Sequence, residues 1–347
     1  MKSLSTLLCL LLALLLLAPA CAQEDTTSSA TPQATAATTA AELLPHQLPD
    51  DAQGPVVYFT RDISAEGLLR TFQAMNWTPT DKVGVKISTG ESAKSNHLRP
   101  ELIGPLVKSI HGTLVECNTA YGGNRSTPEH HHNVVKERGY LEIAPFDLLD
   151  EENYTTLPIP FGKVIHEDYV GSHFPNYTSY LVLSHFKGHA MAGFGGALKN
   201  LSIGFASGTA VEKSGKAWIH SGGKSATSWR GGDQTDFLEA MGEAALAVCM
   251  AMNDGKNIAF VNVMNRLSVD CDCNGNPAEP DMHDIGVLSS TDPLALDQAC
   301  MDLVWKAEDS ASLKARVDRQ DGRHILDYTD SLNIYHRNYK LVDLDAR

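Results

Sequence analysis

The chain has 347 residues, 43% of them hydrophobic, enough to build one large domain or two small ones. Its 28 Lys and Arg against 42 Asp and Glu give a formal charge of −14, and no basic tract interrupts that balance. A chain so acidic repels phosphate backbones, which argues against nucleic acid as a partner.

The first 22 residues read as a signal peptide: Lys2 supplies a positive charge, and Leu4 to Leu17 form an apolar run too short for an ordinary spanning helix. Small residues follow in Ala18-Pro-Ala-Cys21-Ala22. Two cleavage readings stay open. Ordinary signal peptidase would release a secreted chain. A bacterial lipoprotein box would place a lipid on Cys21, anchoring the protein on the periplasmic side of the cell envelope with membrane contact through that lipid. Residues 23–54, rich in Ala, Thr, Ser and Pro, bury too little apolar surface to offset chain entropy and are expected to be a flexible linker.

From residue 55 to 347 strands and helices alternate as a single domain. Val56 to Phe59 predicts a strand, and the spacing of Leu68, Leu69, Phe72 and Met75 a helix. Lys82 to Ile87 predicts a second strand, Pro100 to Ile110 a helix and Thr113 to Val115 a third strand. A helix over 128–138 stops at Gly139. Residues 140–178 are turn-rich and read as an insertion or a layer over the sheet. Tyr180 to Leu183 is a short apolar run, a buried strand that delivers His185, Lys187 and His189 to its carboxyl end, and a helix follows near Ala197. Gln234 to Met252 is a long helix, and Ile258 to Val263 and Ile285 to Leu288 are strands. Pro293 behind Asp292 marks a helix start. Short helices near 310 and 324 and a strand at Tyr339 to Val342 complete the pattern. The fold class is α/β: a mostly parallel sheet with helices on both faces.

Polar clusters follow nearly every strand: Lys86 with Ser88 and Thr89; Glu116 with Cys117; His185, Lys187 and His189; Asn262 through Cys273; and Ser289 to Asp292. At the carboxyl ends of parallel strands these would share one rim, where ligands bind. Cys249 and Cys300 fall on apolar helix faces and read as core, leaving Cys117, Cys271 and Cys273 at the rim. Three thiols near His185, His189 or His283 could hold a divalent metal or an iron–sulfur cluster. A Cys271–Cys273 disulfide is the bland alternative. An acid–base reading has Lys86, Lys187 and Lys199 bind a small anion while Glu116, Asp270 or Asp284 handles protons. His130-His131-His132 is discounted as a metal tract on an exposed helix end, since consecutive imidazoles point around a helix. A Walker loop, a dinucleotide fingerprint and a Gly-x-Ser-x-Gly elbow are all missing.

Lys187-Gly-His189, the glycine run into Lys199-Asn200, and Asp292-Pro-Leu-Ala-Leu-Asp297 resemble the motifs of domain of unknown function 362. Leu294 stands where that family usually has Val. Asp270-Cys-Asp-Cys273 with Pro280-Asp-x-x-Asp-Ile-Gly286 is similar to a subgroup often called iron–sulfur cluster proteins, over about Val56 to Val342. The ferredoxin-type cysteine segment of many members is missing, so any metal must use Cys117, Cys271 and Cys273. The expectation is a cell-envelope protein with a metal- or cluster-dependent redox site. Cys271 and Cys273 would be ligands and Cys117 or His189 would complete the set. Lys187, His189 and Glu116 would do chemistry, and Lys86, Lys199 and Asn200 would hold an anionic substrate. The alternatives are a metal-free transferase or hydrolase acting on an anion and a non-catalytic solute-binding lipoprotein.

Overall fold

The structure, a computed structural model, describes residues 43–208, 213–229 and 231–346. The expected signal peptide, its lipidation site Cys21 and the linker up to residue 42 lie outside the described residues. Residues 43–54, assigned above to the linker, pack on the domain instead. Leu44 is buried, the His46 amide donates to Asp302 at 3.1 Å, and the Leu48 amide donates to the Tyr339 carbonyl at 2.7 Å. One apolar anchor and a few paired backbone groups are enough to order a segment whose composition alone reads as tether.

Strand β1 (Val56–Thr60) leads to helix α1 (Ala65–Ala74), β2 (Val83–Lys86) to α2 (Pro100–Ser109), and β3 (Thr113–Glu116) to α3 (Pro128–Glu137). Strand β4 (Phe146–Leu148), the hairpin β5 (Tyr154–Pro158) and β6 (Glu167–Gly171), and the long strand β7 (Ser179–His185) follow. A small hairpin, β8 (Lys187–His189) and β9 (Gly193–Gly195), precedes α4 (Ala197–Phe205), α5 (Gly215–His220) and α6 (Gln234–Ala251). The chain then runs through β10 (Ile258–Met264), β11 (Gly286–Ser290), α7 (Pro293–Lys306), α8 (Ala311–Arg319), α9 (His324–Ser331) and β12 (Lys340–Asp343). No helix among the described residues is long and apolar enough to cross a membrane.

Eight strands form the main sheet in the order β12-β1-β11-β10-β7-β2-β3-β4. Every pairing is parallel except those of β11, which runs against both β1 and β10. The alternation of side chains along each strand feeds two apolar layers. On β7, Leu181 and Leu183 face the layer covered by α1 and α2, while Tyr180 and Val182 face the layer covered by α4, α6 and α7. Each fully buried Leu or Phe in these layers contributes roughly 1.5–3 kcal/mol. Helix starts carry local reasons: Ser64 caps α1, Asp233 caps α6, and Asp292 accepts from the amides of Leu294 and Ala295 at the head of α7. The turn-rich stretch expected at 140–178 is not wholly an insertion, because β4 joins the main sheet beside β3.

Candidate functional site

Strand order reverses between β2 and β7: from β2 the chain moves outward to β3 and β4, and from β7 the other way to β10. Ligands of open α/β sheets bind in the crevice outside the strand ends at such a switch point. Lys86 ends β2, His185 ends β7, and a cavity of about 410 Å³ opens there. Lys86, Glu116, Cys117, Lys187, His189, Lys199, Asn200, Cys271 and Cys273 all line it. The cluster Ser289 to Asp292 does not, because β11 runs antiparallel and its carboxyl end falls on the opposite rim.

One wall carries sulfur. Hairpin β8–β9 sets His189 against the loop that follows β10, and one ligand atom each from His189, Cys271 and Cys273 lies within 4.8 Å of the others. Gly188 permits this approach: a Cβ there would sit 2.3 Å from the Val269 carbonyl oxygen. Both cysteines are free thiols rather than the disulfide considered above. Hydrogen bonding from Cys273 holds the Cys271 thiol well below its ordinary pKa, and Lys199 and Lys187 add to the effect. Between them Asp272 turns the other way, into the protein. It accepts from His185 Nδ1 at 2.9 Å and pairs with the Lys187 ammonium at 3.0 Å. Burial works against the Lys187 charge, yet Asp272 and Cys271 outweigh it and raise its pKa. Lys187 is thereby a strut under the cysteine loop, and its ammonium also donates to the His185 carbonyl at 2.8 Å.

Cys117 stays out of the sulfur cluster. Its thiol donates to the Phe205 carbonyl at 3.2 Å, and burial pushes its pKa up. Of the two completions expected for a ligand set, the fold brings in His189 and leaves Cys117 apart. Four thiolates for an iron–sulfur cluster are not assembled among the described residues. His283, the third histidine considered, pairs with Asp309 on the surface, and Asp270 and Asp284 hold Arg316 and the Arg266 amide.

Glu116, expected to handle protons, is saturated. It accepts from the Thr89 amide at 2.9 Å, the Thr89 hydroxyl at 2.7 Å, Arg125 at 3.1 Å and His131 at 3.2 Å. Burial opposes its charge, but the His131 bond and the Arg125 and Lys86 charges hold its pKa well below the carboxylate range, so it is a poor base. His131, discounted on an exposed helix end, is fully buried in this network, while His132 pairs outside with Glu151. Asn200 accepts from Lys86 at 3.0 Å and donates to the Ser184 hydroxyl at 3.1 Å. Lys199 is half-buried one residue earlier on α4.

Four further residues build the site without having drawn attention in the sequence. Arg125 bridges Glu91 and Glu116, and Lys216 lines the cavity from α5. Asp272 was hidden by the cysteines around it, although a carboxylate between two thiols is itself a signal that one of the three must turn inward. Asp297, quoted above only as part of a motif, reaches from α7 to the head of α4. There it accepts from the Ala197 and Leu198 amides at 2.7 and 2.9 Å and from Asn262 at 2.7 Å. Gly196 is required for that contact, since a Cβ would lie 2.3 Å from the Asp297 oxygen.

No curated protein matches the chain. Among solved structures it is similar to the lactate racemase apoprotein from Thermoanaerobacterium thermosaccharolyticum, with a TM-score of 0.41 and 15% identity over 75% of this chain and 61% of that one. A second, a structural-genomics protein from Thermotoga maritima, gives a TM-score of 0.36 and 12% identity over 74% of this chain and 58% of that one. The chain thus spans less than two-thirds of either solved protein. The family described as Domain of unknown function (DUF362) matches residues 83–302, well over half of the sequence, and the chain belongs to that family.

Proposed function

We propose that the protein is a cell-envelope metalloprotein whose cavity holds a divalent metal on His189, Cys271 and Cys273 and takes a small anion beside it. The observation that carries the reading is the convergence of those three ligand atoms within 4.8 Å on the wall of a buried cavity. Two thiolates and one imidazole are three protein ligands, the number that leaves a fourth position for water or substrate. A metal so held supplies Lewis acidity to an oxygen of the bound molecule. The chain's own contribution is to fix the cysteine loop through Asp272 and Lys187 and to surround it with cations. The signal-peptide reading of residues 1–22, with Cys21 as the lipidated residue, supports the envelope location and a lipid anchor. Metal analysis of the anaerobically purified mature chain tests the centre: stoichiometric zinc or iron, lost in Cys271→Ser, supports it, and a folded, metal-free wild type rejects it. A mass lacking lipid on Cys21 rejects the anchor.

One observation favours a metal-free thiolate site instead. His189 Nδ1 accepts from the amides of Met191 and Ala192 at 3.2 and 2.9 Å, whereas a metal-bound imidazole normally donates its second nitrogen. Burial, with Lys199 and His220 nearby, keeps the ring neutral by holding its pKa well below the usual value. The proton then sits on Nε2, a donor suited to steadying a thiolate. Rapid alkylation of Cys271 in metal-free protein, slowed in His189→Phe, would decide for this reading.

A further inference from the structure

The cavity has a second pole, away from the sulfur. Lys86 ends β2 with 1% of its surface exposed, and Lys216 on α5 is 7% exposed; both line the cavity. Neither has a carboxylate within ion-pair distance among the described residues, whereas Lys187 and Arg125 in the same walls are both paired. An ammonium carries three N–H donors. Among the described residues, Lys86 uses them on the Ile87 carbonyl at 2.7 Å and Asn200 Oδ1 at 3.0 Å, and Lys216 on the Ala206 carbonyl alone. That leaves a donor on Lys86, whose ammonium also lies 5.9 Å from the centre of the Phe205 ring, and two on Lys216, and both side chains line the cavity with Asn200 and Gly204.

Ordinary roles account for part of this. Ala206 is the C-cap of α4, and a cation there suits the helix dipole. A capping lysine, however, gains most at a helix end where water solvates the rest of the ammonium; here that solvent is removed from two neighbouring ammonium groups. Their mutual repulsion and their burial both favour the neutral form: burial, opposed by Glu116 and Cys117 and reinforced by Lys216, lowers Lys86 to about 8. Burial likewise lowers Lys216. Buried charges persist when paired, and among the described residues no carboxylate pairs with either ammonium, so an anion in the cavity would supply the partner.

We infer that Lys86 and Lys216 form an oxyanion subsite that binds the carboxylate or phosphate end of a small molecule, with the rest of that molecule directed at the Cys271–Cys273 wall. This takes the cavity of the preceding proposal but not its metal. Lys187, expected in the sequence to bind the anion, is excluded from the subsite by its bond to Asp272. Lys216 takes its place.

Thermal melting and calorimetric titration of the mature chain, freed of metal by chelator, test the subsite with inorganic phosphate, malonate and acetate. Chloride at matched ionic strength is the control. The expected result is saturable stabilisation by at least one oxyanion and none by chloride. A response to phosphate alone assigns a phosphoryl end, and one to malonate or acetate a carboxylate. Affinity should fall by about tenfold or more in Lys216→Met and Lys86→Met, the cost of removing a hydrogen bond to a charged group. It should be unchanged in Lys213→Met, whose side chain is exposed and paired with Glu167. Cys271→Ser should lose metal yet keep the anion, so failure of either proposal leaves the other readable. If the Lys86 variant does not fold, acetic anhydride labelling of wild type, read by mass spectrometry, replaces it. Protection of Lys216 by the oxyanion supports the subsite, and equal labelling with and without the oxyanion overturns it. Stabilisation by chloride equal to that by every oxyanion, or undiminished affinity in Lys216→Met, overturns it as well.

Discussion

Asp272 and Asp168 are both wholly buried, and burial alone would raise the pKa of each. Among the described residues Asp168, on β6, accepts only from the amide of its neighbour Tyr169 at 2.8 Å and its second oxygen has no hydrogen-bond partner; burial takes it to about 7. Asp272 is buried as deeply, but the Lys187 and His185 charges overcome that cost and hold its pKa well below the ordinary value. Asp297 falls between them: burial dominates, three neutral donors offset part of it, and its pKa stands at about 6. The same side chain at the same depth therefore holds its charge firmly, marginally or only in part near neutrality, according to whether it meets cations, several neutral donors or a single amide.

Removing the charge of Asp272 should break the comparison at its strong end. Asp272→Asn leaves Lys187 and His185 buried against a neutral amide, and the expected loss is about 3–5 kcal/mol in denaturant unfolding. A loss under about 1 kcal/mol would mean the cysteine loop is held by other contacts.

At the weak end the effect is on pH dependence. The folded-state pKa of Asp168 is raised above its usual 3.8 to about 7, so the folded protein binds that proton more tightly than the unfolded chain. Its contribution to stability is complete below the ordinary value and is lost as pH rises through about 7. Asp272, depressed instead, contributes above the ordinary carboxylate range and loses its contribution as the solution is acidified. Asp168→Asn should remove the fall in stability between the ordinary value of 3.8 and about 7, and gain on the order of 2 kcal/mol above neutrality. A profile parallel to wild type would show that Asp168 does not titrate in this window.

For the intermediate case, Asn262→Leu removes one of the three donors to Asp297. The expected cost is about 1–2 kcal/mol, with faster hydrogen exchange at the Ala197 and Leu198 amides that Asp297 caps. Unchanged exchange there would detach Asn262 from the cap. The smallest effect concerns the cationic counterpart. Lys86, lowered to about 8 by burial, faces Glu116, Cys117, Lys216 and Arg125. Oxyanion affinity should decline by up to about tenfold per pH unit above that value, and a flat titration would remove Lys86 from the binding groups.

Much of the architecture was readable because each strand is short, apolar and bounded by polar residues, and because Pro100, Pro128 and Pro293 mark helix starts. The direction of β11 was not. Gly286 to Ser290 is apolar then polar like its parallel neighbours, and polarity at a strand's end does not say which rim the end reaches. In the site, His189, Cys271 and Cys273 could be picked out because they stand beside polar residues that follow strands, whereas Cys249 and Cys300 fall on apolar helix faces. Lys216 lies in a glycine-rich polar segment without a periodic apolar pattern, and the short helix α5 turns it inward. Glu116 could be placed on the rim from its position after a strand, but its saturation depends on Thr89, Arg125 and His131, three positions that no local pattern connects to it.

The bond from Asp297 to the head of α4 also sets an order of events. Its acceptor lies one hundred residues downstream of the amide it caps, and Asp272 lies 87 residues beyond His185. A chain emerging from its N-terminus therefore carries His185, Lys187 and the head of α4 long before Asp272 and Asp297 arrive to hold them, and such distant closures are slow to form. The cavity is complete only once the loop carrying Cys271 and Cys273 is in place. A cavity with its sulfur wall and capped helix α4 in place therefore requires the chain through Asp297, a dependence built into connectivity rather than into any single contact.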